Sequence, residues 1–259
     1  MRKRILYSVL FLIVILVAYL IGKSSNPSGL EKNKLIDTNI KVCTRTENYS
    51  NPPEFERALS LIKQRYTTLN LDTTSNYDGK EIKMAELWKN ILPCLIFKYT
   101  NARQDKNAEG YFKFGGNNTN PNYLPIYVDQ TYSESDDLLL AFLLVHEITH
   151  AQQYLYELNK TPDGFSGIPC FTKETAAFGS QWYFYNLLNN EEKRSLGSRI
   201  VTLSDQPQLL ILKRMIEYYW DDLKSCNKSD PYCVNNKVVD SLDREVKQNE
   251  FYQKECNSN

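Results

Sequence analysis

Apolar residues recur along most of this chain at the spacing of helices that bury one face. Residues 54–69 carry Phe55, Leu59, Ile62 and Tyr66 at intervals of three or four positions, which predicts an amphipathic helix. The chain has further stretches of this helical character, over 80–92, 135–158, 172–190, 206–225 and 231–254. Pro93 stops the second of these helices, because proline cannot continue the helical hydrogen-bond pattern.

Three short apolar runs have the character of strands. CLIFKY at 94–99 reads as a buried strand, and GYFKFGG at 110–116 and YLPIYVD at 123–129 read as two short strands joined by an Asn- and Gly-rich turn. Pro125 cannot donate to a β-ladder, so it predicts an edge position for the strand at 123–129. Helices, then a small sheet, then a helical C-terminal half predict an α+β fold with most of its mass helical.

The helix at 135–158 is one of the two longest predicted, and its first half is almost wholly apolar. Ser133 or Ser135 is the expected N-cap, with two Asp residues in the first turn of the helix. Because the residues from Leu139 to Val145 are all apolar, we expect this helix to be buried.

Both histidines of the chain lie in that helix, in the sequence HEITH at 146–150. Positions i and i+4 share a helix face, so His146 and His150 can present two imidazole nitrogens to one Zn²⁺. Glu147 flanks the same point and can take a proton from a water molecule there. Chance placement of two histidines around a glutamate in this way is on the order of 10⁻³ to 10⁻⁴, so the pattern predicts a zinc site.

The third ligand must be Asp, Glu or Cys, because the chain has no third histidine. Glu174 is the best candidate, since it lies in the first turn of the next helix after a loop that lets the chain double back. Asp163 and Cys170, in or beside that loop, are the alternatives. Glu157 lies two turns beyond His150 on the same helix, too far to share the ion.

The pair of segments HEITHAQQ and KETAAFGSQ resembles the zincin metallopeptidases, in particular the gluzincin-like group found in uncharacterised bacterial proteins. This resemblance implies His146, His150 and Glu174 as the ligands of one zinc ion, with Glu147 as the general base. It also implies a zincin-like fold and an edge strand before the motif helix, for which YLPIYVD is the candidate, that binds the substrate by β-augmentation.

The chain departs from the thermolysin type of this pattern in one position. Phe178 stands four residues after Glu174, where that type carries Asp, so the partner of a ligand histidine must come from elsewhere. Peptide hydrolysis also needs a donor that stabilises the oxyanion. Tyr183, Tyr185 and Tyr123 are candidates for that role, and Tyr183 is the residue we select.

The N-terminus predicts a membrane location. Three basic residues, 2–4, precede an uncharged apolar run at 5–22, which is the pattern of a signal-anchor, with a cleaved signal peptide as the alternative. The positive-inside rule then places residues 24–259 outside the cytoplasm. Residues 23–53 read as a tether and 54–259 as the metallopeptidase domain.

Charge and cysteine content add two further expectations. The formal net charge of zero and the pI near 6.7 provide no basic face for nucleic acid. Six cysteines outside the cytoplasm predict disulfides, with Cys226 and Cys233 as the most plausible local pair.

Together these patterns predict a membrane-anchored, extracytoplasmic zinc peptidase. The alternative is a surface binding or scaffold protein that keeps a zincin fold without turnover, and a zinc hydrolase acting on lipids or glycans has the same ligand set.

Overall fold

The computed structural model describes residues 50–68, 74–77, 80–83, 91–113, 123–158, 168–202, 207–225 and 233–257. The chain divides into two compact units, of which the larger comprises Asn39–Ser75 and Ile82–Asn259. The smaller comprises Met1–Thr38 and Asn76–Glu81. Most of the smaller unit, like the larger part of the predicted tether, lies outside the described residues.

Helices make up most of the described chain, and together with a small sheet they confirm the α+β class. They are α1 (Pro53–Thr68), α2 (Ala102–Lys106), α3 (Asp137–Leu158), α4 (Cys170–Leu187), α5 (Asn190–Thr202), α6 (Pro207–Ser225), α7 (Cys233–Gln248) and α8 (Glu250–Asn257).

Most of these helices agree with the predicted periodicity. The segment predicted as one helix over 231–254 forms two, α7 and α8, because the side chain of Asn249 accepts a hydrogen bond from the backbone of Phe251 and caps a new helix. Asp136, not Ser133 or Ser135, is the N-cap of α3, since its carboxylate accepts from two backbone amides of the first turn.

Three strands form the sheet beside the helices: β3 (Leu95–Thr100), β4 (Gly110–Phe112) and β5 (Leu124–Asp129). Their order is β3-β5-β4, with β5 parallel to β3 and antiparallel to β4. The predicted edge position of the strand at 123–129 is therefore wrong, because β5 is central. Pro125 is tolerated there because β4 ends at Phe112, just before the position where the backbone of Pro125 would have to donate.

A separate two-stranded sheet pairs β1 (Thr74–Tyr77) with β2 (Lys80–Lys83). The predicted helix over 80–92 is wrong at its N-terminal end, since residues 80–83 are extended.

The motif helix α3 lies at the centre of the helical part. Its residues from Leu139 to Val145 are all buried, as the apolar run predicts. Helices α1 and α4 pack on α3, and β4 of the small sheet also contacts it. A helix that is apolar on every side is stable only with such neighbours around it, so α3 and its partners form one continuous core.

A disulfide joins Cys170, at the start of α4, to Cys256 in α8. Cys94 is also disulfide-bonded. The predicted pairing of Cys226 with Cys233 involves a residue outside the described ranges. The expectation of disulfides is thus confirmed for Cys170, and that residue is excluded as the alternative metal ligand.

The predicted membrane anchor requires correction. Among the described residues, no helix combines the length and the apolar character that a membrane span requires. Helix α3 is long and apolar at first, but from its tenth residue onwards it carries both histidines with Glu147, Gln152 and Gln153. This finding contradicts the prediction of a single-pass membrane protein, whose predicted span, residues 5–22, lies outside the described residues.

The end of the predicted tether is packed on the sheet. Asn51 is buried, its side-chain oxygen accepts a hydrogen bond from the backbone of Phe97 at 3.1 Å, and its amide donates to Glu56 at 2.8 Å. Asn51 therefore connects β3 to the first turn of α1.

Candidate metal centre

Helix α3 presents His146 and His150 on one face, as their spacing predicts. Their ring centroids are 4.8 Å apart and their planes are nearly perpendicular. His146 is almost fully buried and His150 largely so, which places both imidazoles inside the protein rather than on its surface. The two Nε2 atoms point towards each other at 3.1 Å.

Helix α4 brings Glu174 to the same point. One carboxylate oxygen lies 3.4 Å from Nε2 of His146 and the other lies 3.6 Å from Nε2 of His150. The three side chains form a group whose ligand atoms all lie within 4.8 Å of one another. The structure thus brings together the three residues that the sequence selects as ligands.

Two glutamines orient the imidazoles. Nδ1 of His146 is 3.1 Å from the side-chain oxygen of Gln181, and Nδ1 of His150 is 2.9 Å from that of Gln153. Each glutamine amide in turn donates to a backbone carbonyl, of Phe142 and of Lys173 respectively, which determines which end of the amide is the oxygen. Because an amide oxygen only accepts, both Nδ1 atoms carry a proton, and Nε2 of each neutral ring has its lone pair directed to the common point.

Two nitrogen lone pairs at 3.1 Å repel each other unless a proton or a metal ion lies between them. Burial lowers the pKa of His150, but the charge and hydrogen bonding of Glu174 outweigh it and raise that pKa to about 9. For Glu174 burial raises the pKa, whereas the charge of His150 and the hydrogen bonds from both imidazoles hold it below its usual range. The site is therefore built to hold positive charge.

The donor set and its spacing fit a zinc ion. Two imidazoles and one carboxylate, with a fourth position open, are the ligands of several hydrolytic zinc sites. Tetrahedral ligands at ~2.0–2.2 Å from zinc lie roughly 3.3–3.5 Å from one another. The distances between the three donors here are 3.1, 3.4 and 3.6 Å, so small side-chain shifts suffice to hold the ion.

Glu147 lies beside this group under the edge of the sheet. A Cβ atom at Gly110 of β4 would come within 3.5 Å of a Glu147 carboxylate oxygen, so the missing side chain leaves room for the carboxylate. Burial raises the pKa of Glu147 against the opposing effects of both histidines and of a hydrogen bond from Gln208. A carboxylate with a raised pKa next to a metal site has the properties of a general base.

The residues proposed for oxyanion stabilisation lie elsewhere. Tyr183 is nine residues after Glu174, about two and a half helical turns along α4 and on its opposite face. Tyr185 is fully buried and its ring packs against Trp182, and Tyr123 is 53% exposed. The positions of these three tyrosines do not favour any of them as the donor that stabilises the oxyanion.

Of the other residues considered as metal ligands, two lie among the described residues. Asp163 lies outside the described residues, and Cys170 is in a disulfide. Glu157 is buried and lies 3.9 Å from the ammonium group of Lys173, so it faces a different partner.

Three residues near the centre are absent from the sequence prediction of the site: Gln181, Gln208 and Tyr252. Gln181 follows Glu174 by seven residues, two helical turns, and that spacing could have identified it as a residue on the same face. Phe178 lies between the two on this face, and its ring packs edge-on against His146 at 4.6 Å. The local sequence contains no comparable signal for Gln208 or Tyr252, because both arrive from distant helices.

Comparison of the chain with protein-family models, curated proteins and solved structures finds no match.

Proposed function

We propose that this chain is a zinc-dependent peptidase in which His146, His150 and Glu174 hold one ion and Glu147 is the general base. The observation that carries the proposal is the convergence of two Nε2 lone pairs and a carboxylate at one buried point. Such a group needs a shared cation, either a proton or a metal ion, to compensate its largely buried polar atoms.

Zinc in such a site would supply Lewis acidity, which polarises a carbonyl group and makes a water molecule acidic enough to lose a proton near neutral pH. Glu147 accepts that proton and later delivers it to the leaving amine. Burial and the charge of Glu174 favour its protonated form, so its pKa lies above that of an ordinary glutamate, which suits a group that both takes and returns a proton.

The surroundings of Glu147 support a peptide as the substrate. Among the described strands, β4 is at the edge of its sheet and adjoins the motif helix. Tyr111 of β4 pairs with Tyr127, so the backbone groups of Gly110 and Phe112 on either side point away from β5. An extended peptide paired with the outer edge of β4 at Gly110 would run close to Glu147, so the expected β-augmentation is assigned to β4 instead of β5.

A zincin-like arrangement is part of the proposal. It is supported by the long motif helix, by the following helix that carries Glu174, and by the antiparallel edge strand beside them. The glutamines that orient the histidines take the place of the carboxylate partner that the thermolysin type uses.

Metal content tests the ligand assignment. We expect one zinc per purified chain by elemental analysis, and loss of that zinc in Glu174→Ala. Glu157→Gln is the matched control, since it removes another buried carboxylate next to α4 without touching the three ligands. A Glu174→Ala protein that keeps stoichiometric zinc contradicts the assignment.

Hydrolysis tests the catalytic assignment. The zinc-loaded protein is incubated with a complex peptide mixture, and new termini are identified by mass spectrometry. Glu147→Gln should retain zinc and lose about 10²- to 10⁴-fold in the rate of cleavage. A wild-type protein that binds zinc and cleaves no peptide would instead favour the non-catalytic binding or scaffold role.

A further inference from the structure

The C-terminal helix α8 lies along α4, the helix that carries Glu174. The disulfide joins Cys170 to Cys256 with their Cα atoms 5.3 Å apart, and the ring of Phe178 contacts that of Tyr252 at 5.7 Å. Along this contact the residue numbers increase in α4 and decrease in α8, so the two helices are antiparallel there.

This pairing places Tyr252 beside Glu174, at the same distance from the disulfide along the helix axes. Glu174 lies one helical turn after Cys170, and Tyr252 lies one turn before Cys256, so each is displaced by about 6 Å from the disulfide in the same direction. The disulfide therefore determines which residue of the C-terminal helix faces Glu174.

The ring of Tyr252 lies beside the centre. Tyr252 is 5% exposed, and its ring packs against Phe178, which packs in turn against His146. Burial raises the pKa of the phenol, and the charges of the Glu174 and Glu147 carboxylates raise it further, so the phenol is neutral and lies near both.

Hydrolysis of an amide requires a hydrogen-bond donor at the oxygen on which negative charge develops. A neutral phenol fills that role without adding a charge to a buried site. We propose that Tyr252 is this donor, a catalytic residue that contacts the substrate carbonyl oxygen, and that the Cys170–Cys256 disulfide holds it level with Glu174. The inference rests on the proposed peptidase function and replaces Tyr183 in the donor role.

Tyr252→Phe removes the hydroxyl and keeps the ring contact with Phe178. We expect kcat to fall about 10²- to 10³-fold while KM changes little, as for loss of one oxyanion donor. Zinc content should be unchanged, since no ligand is removed. Tyr185→Phe is the matched control, because it removes a buried phenolic hydroxyl from the same core, on a ring that packs against Phe142 and Trp182.

A second measurement does not depend on turnover. The protein is loaded with Co²⁺ and titrated with acetohydroxamate, whose oxygens bind the metal, while the visible spectrum is recorded. Tyr252→Phe should weaken the binding about 10- to 100-fold, and Tyr185→Phe should leave it unchanged. The double variant Cys170→Ala/Cys256→Ala should bind Co²⁺ and lose hydroxamate affinity in the same direction, because α8 is no longer joined to α4.

The outcomes separate this inference from the proposed function. If Tyr252→Phe matches Tyr185→Phe in both measurements, or if it loses the metal, the donor role is refuted while the peptidase assignment stands. If the wild type binds cobalt and hydroxamate but cleaves nothing, the peptidase assignment fails, and the loss of hydroxamate affinity in Tyr252→Phe still supports the donor role. A wild type that binds no metal refutes both.

Discussion

Gln153→Leu removes the two hydrogen bonds that connect the imidazole of His150 to the helix carrying Glu174. The amide oxygen of Gln153 accepts from Nδ1 of His150 at 2.9 Å, and its nitrogen donates to the carbonyl of Lys173 at 3.0 Å. Lys173 immediately precedes Glu174, so one side chain orients one ligand and restrains the backbone beside another.

The size of the effect follows from these contacts. Without the amide oxygen, His150 can carry its proton on either nitrogen and rotate, and removal of such a partner lowers metal affinity about 10- to 100-fold, or roughly 1.4–2.7 kcal/mol. In the metal-free protein, loss of two buried hydrogen bonds should lower the free energy of unfolding by about 2 kcal/mol. Leucine fills a similar volume, so little of this loss comes from a cavity.

The neighbouring residue offers a matched control. Gln152 is 5% exposed and Gln153 is 3% exposed, but the side-chain nitrogen of Gln152 has no hydrogen-bond partner among the described residues. Gln152→Leu therefore removes a poorly satisfied buried amide and should be neutral or slightly stabilising. Its zinc affinity should equal that of the wild type.

Competition with a chromophoric chelator measures the zinc affinities, and urea unfolding in EDTA measures the stability of the metal-free proteins. Equal zinc affinities for Gln152→Leu and Gln153→Leu would refute the reasoning, since only one of the two residues contacts a ligand. A lower unfolding free energy for Gln153→Leu with unchanged zinc affinity would show that the residue is purely structural.

Two more predictions concern protons and packing. Because the pKa of His150 is raised from 6.5 to about 9 in the metal-free protein, its contribution to stability is complete below pH 6.5 and is lost as the pH rises towards 9. Zinc binding at pH 7 should release about one proton, measurable by calorimetry in buffers of different ionisation enthalpy, and release of none would contradict this protonation state. Gly110→Ala should destabilise the protein by about 1–3 kcal/mol in thermal unfolding, because its Cβ would lie 2.9 Å from the backbone oxygen of Tyr127. Gly179→Ala, in a helix with nothing within 4 Å of the new Cβ, should be neutral or stabilise by up to ~1 kcal/mol, and equal effects of the two would contradict the packing seen at β4.

The parts of the site that the sequence predicts are those determined by local geometry. His146 and His150 share a face because any helix places i and i+4 together, and the apolar run before them makes that helix a buried one. Glu174 could be selected because a zinc site needs a third ligand and the helix that carries Glu174 follows the motif helix after one loop. These inferences require no knowledge of how distant elements pack.

The errors arise where pairing and long-range packing decide the outcome. Pro125 favours an edge strand in general, but β4 ends before the residue that would require a donor from Pro125, whose carbonyl still accepts from Lys113, so β5 can be central. Helix α5 was not predicted although its start has a capping box, in which Asn189 accepts from the amide of Glu192 and the Glu192 side chain accepts from that of Asn189. That signal was present in the sequence and could have been used.

Tyr252 could not have been predicted from local helix geometry or from a local sequence signal. It lies more than seventy residues after Glu174, and its position depends on the Cys170–Cys256 disulfide, which the sequence cannot select because six cysteines allow about fifteen pairing schemes. Only the folded chain shows that the C-terminal helix belongs to the site.

Among the described residues, the hydrogen bonds around the centre favour a shared cation over a self-sufficient polar cluster. Gln181 and Gln153 use the Nδ1 protons of both histidines, so neither imidazole can satisfy the other by donating from Nε2 unless one of them is charged. A proton on His150 paired with Glu174 compensates the group in the metal-free state. A divalent cation would replace that proton and interact with all three donors. Glu147, a further buried carboxylate beside the group, accepts a hydrogen bond from Gln208 and is not needed as a ligand, which supports its proposed role as general base.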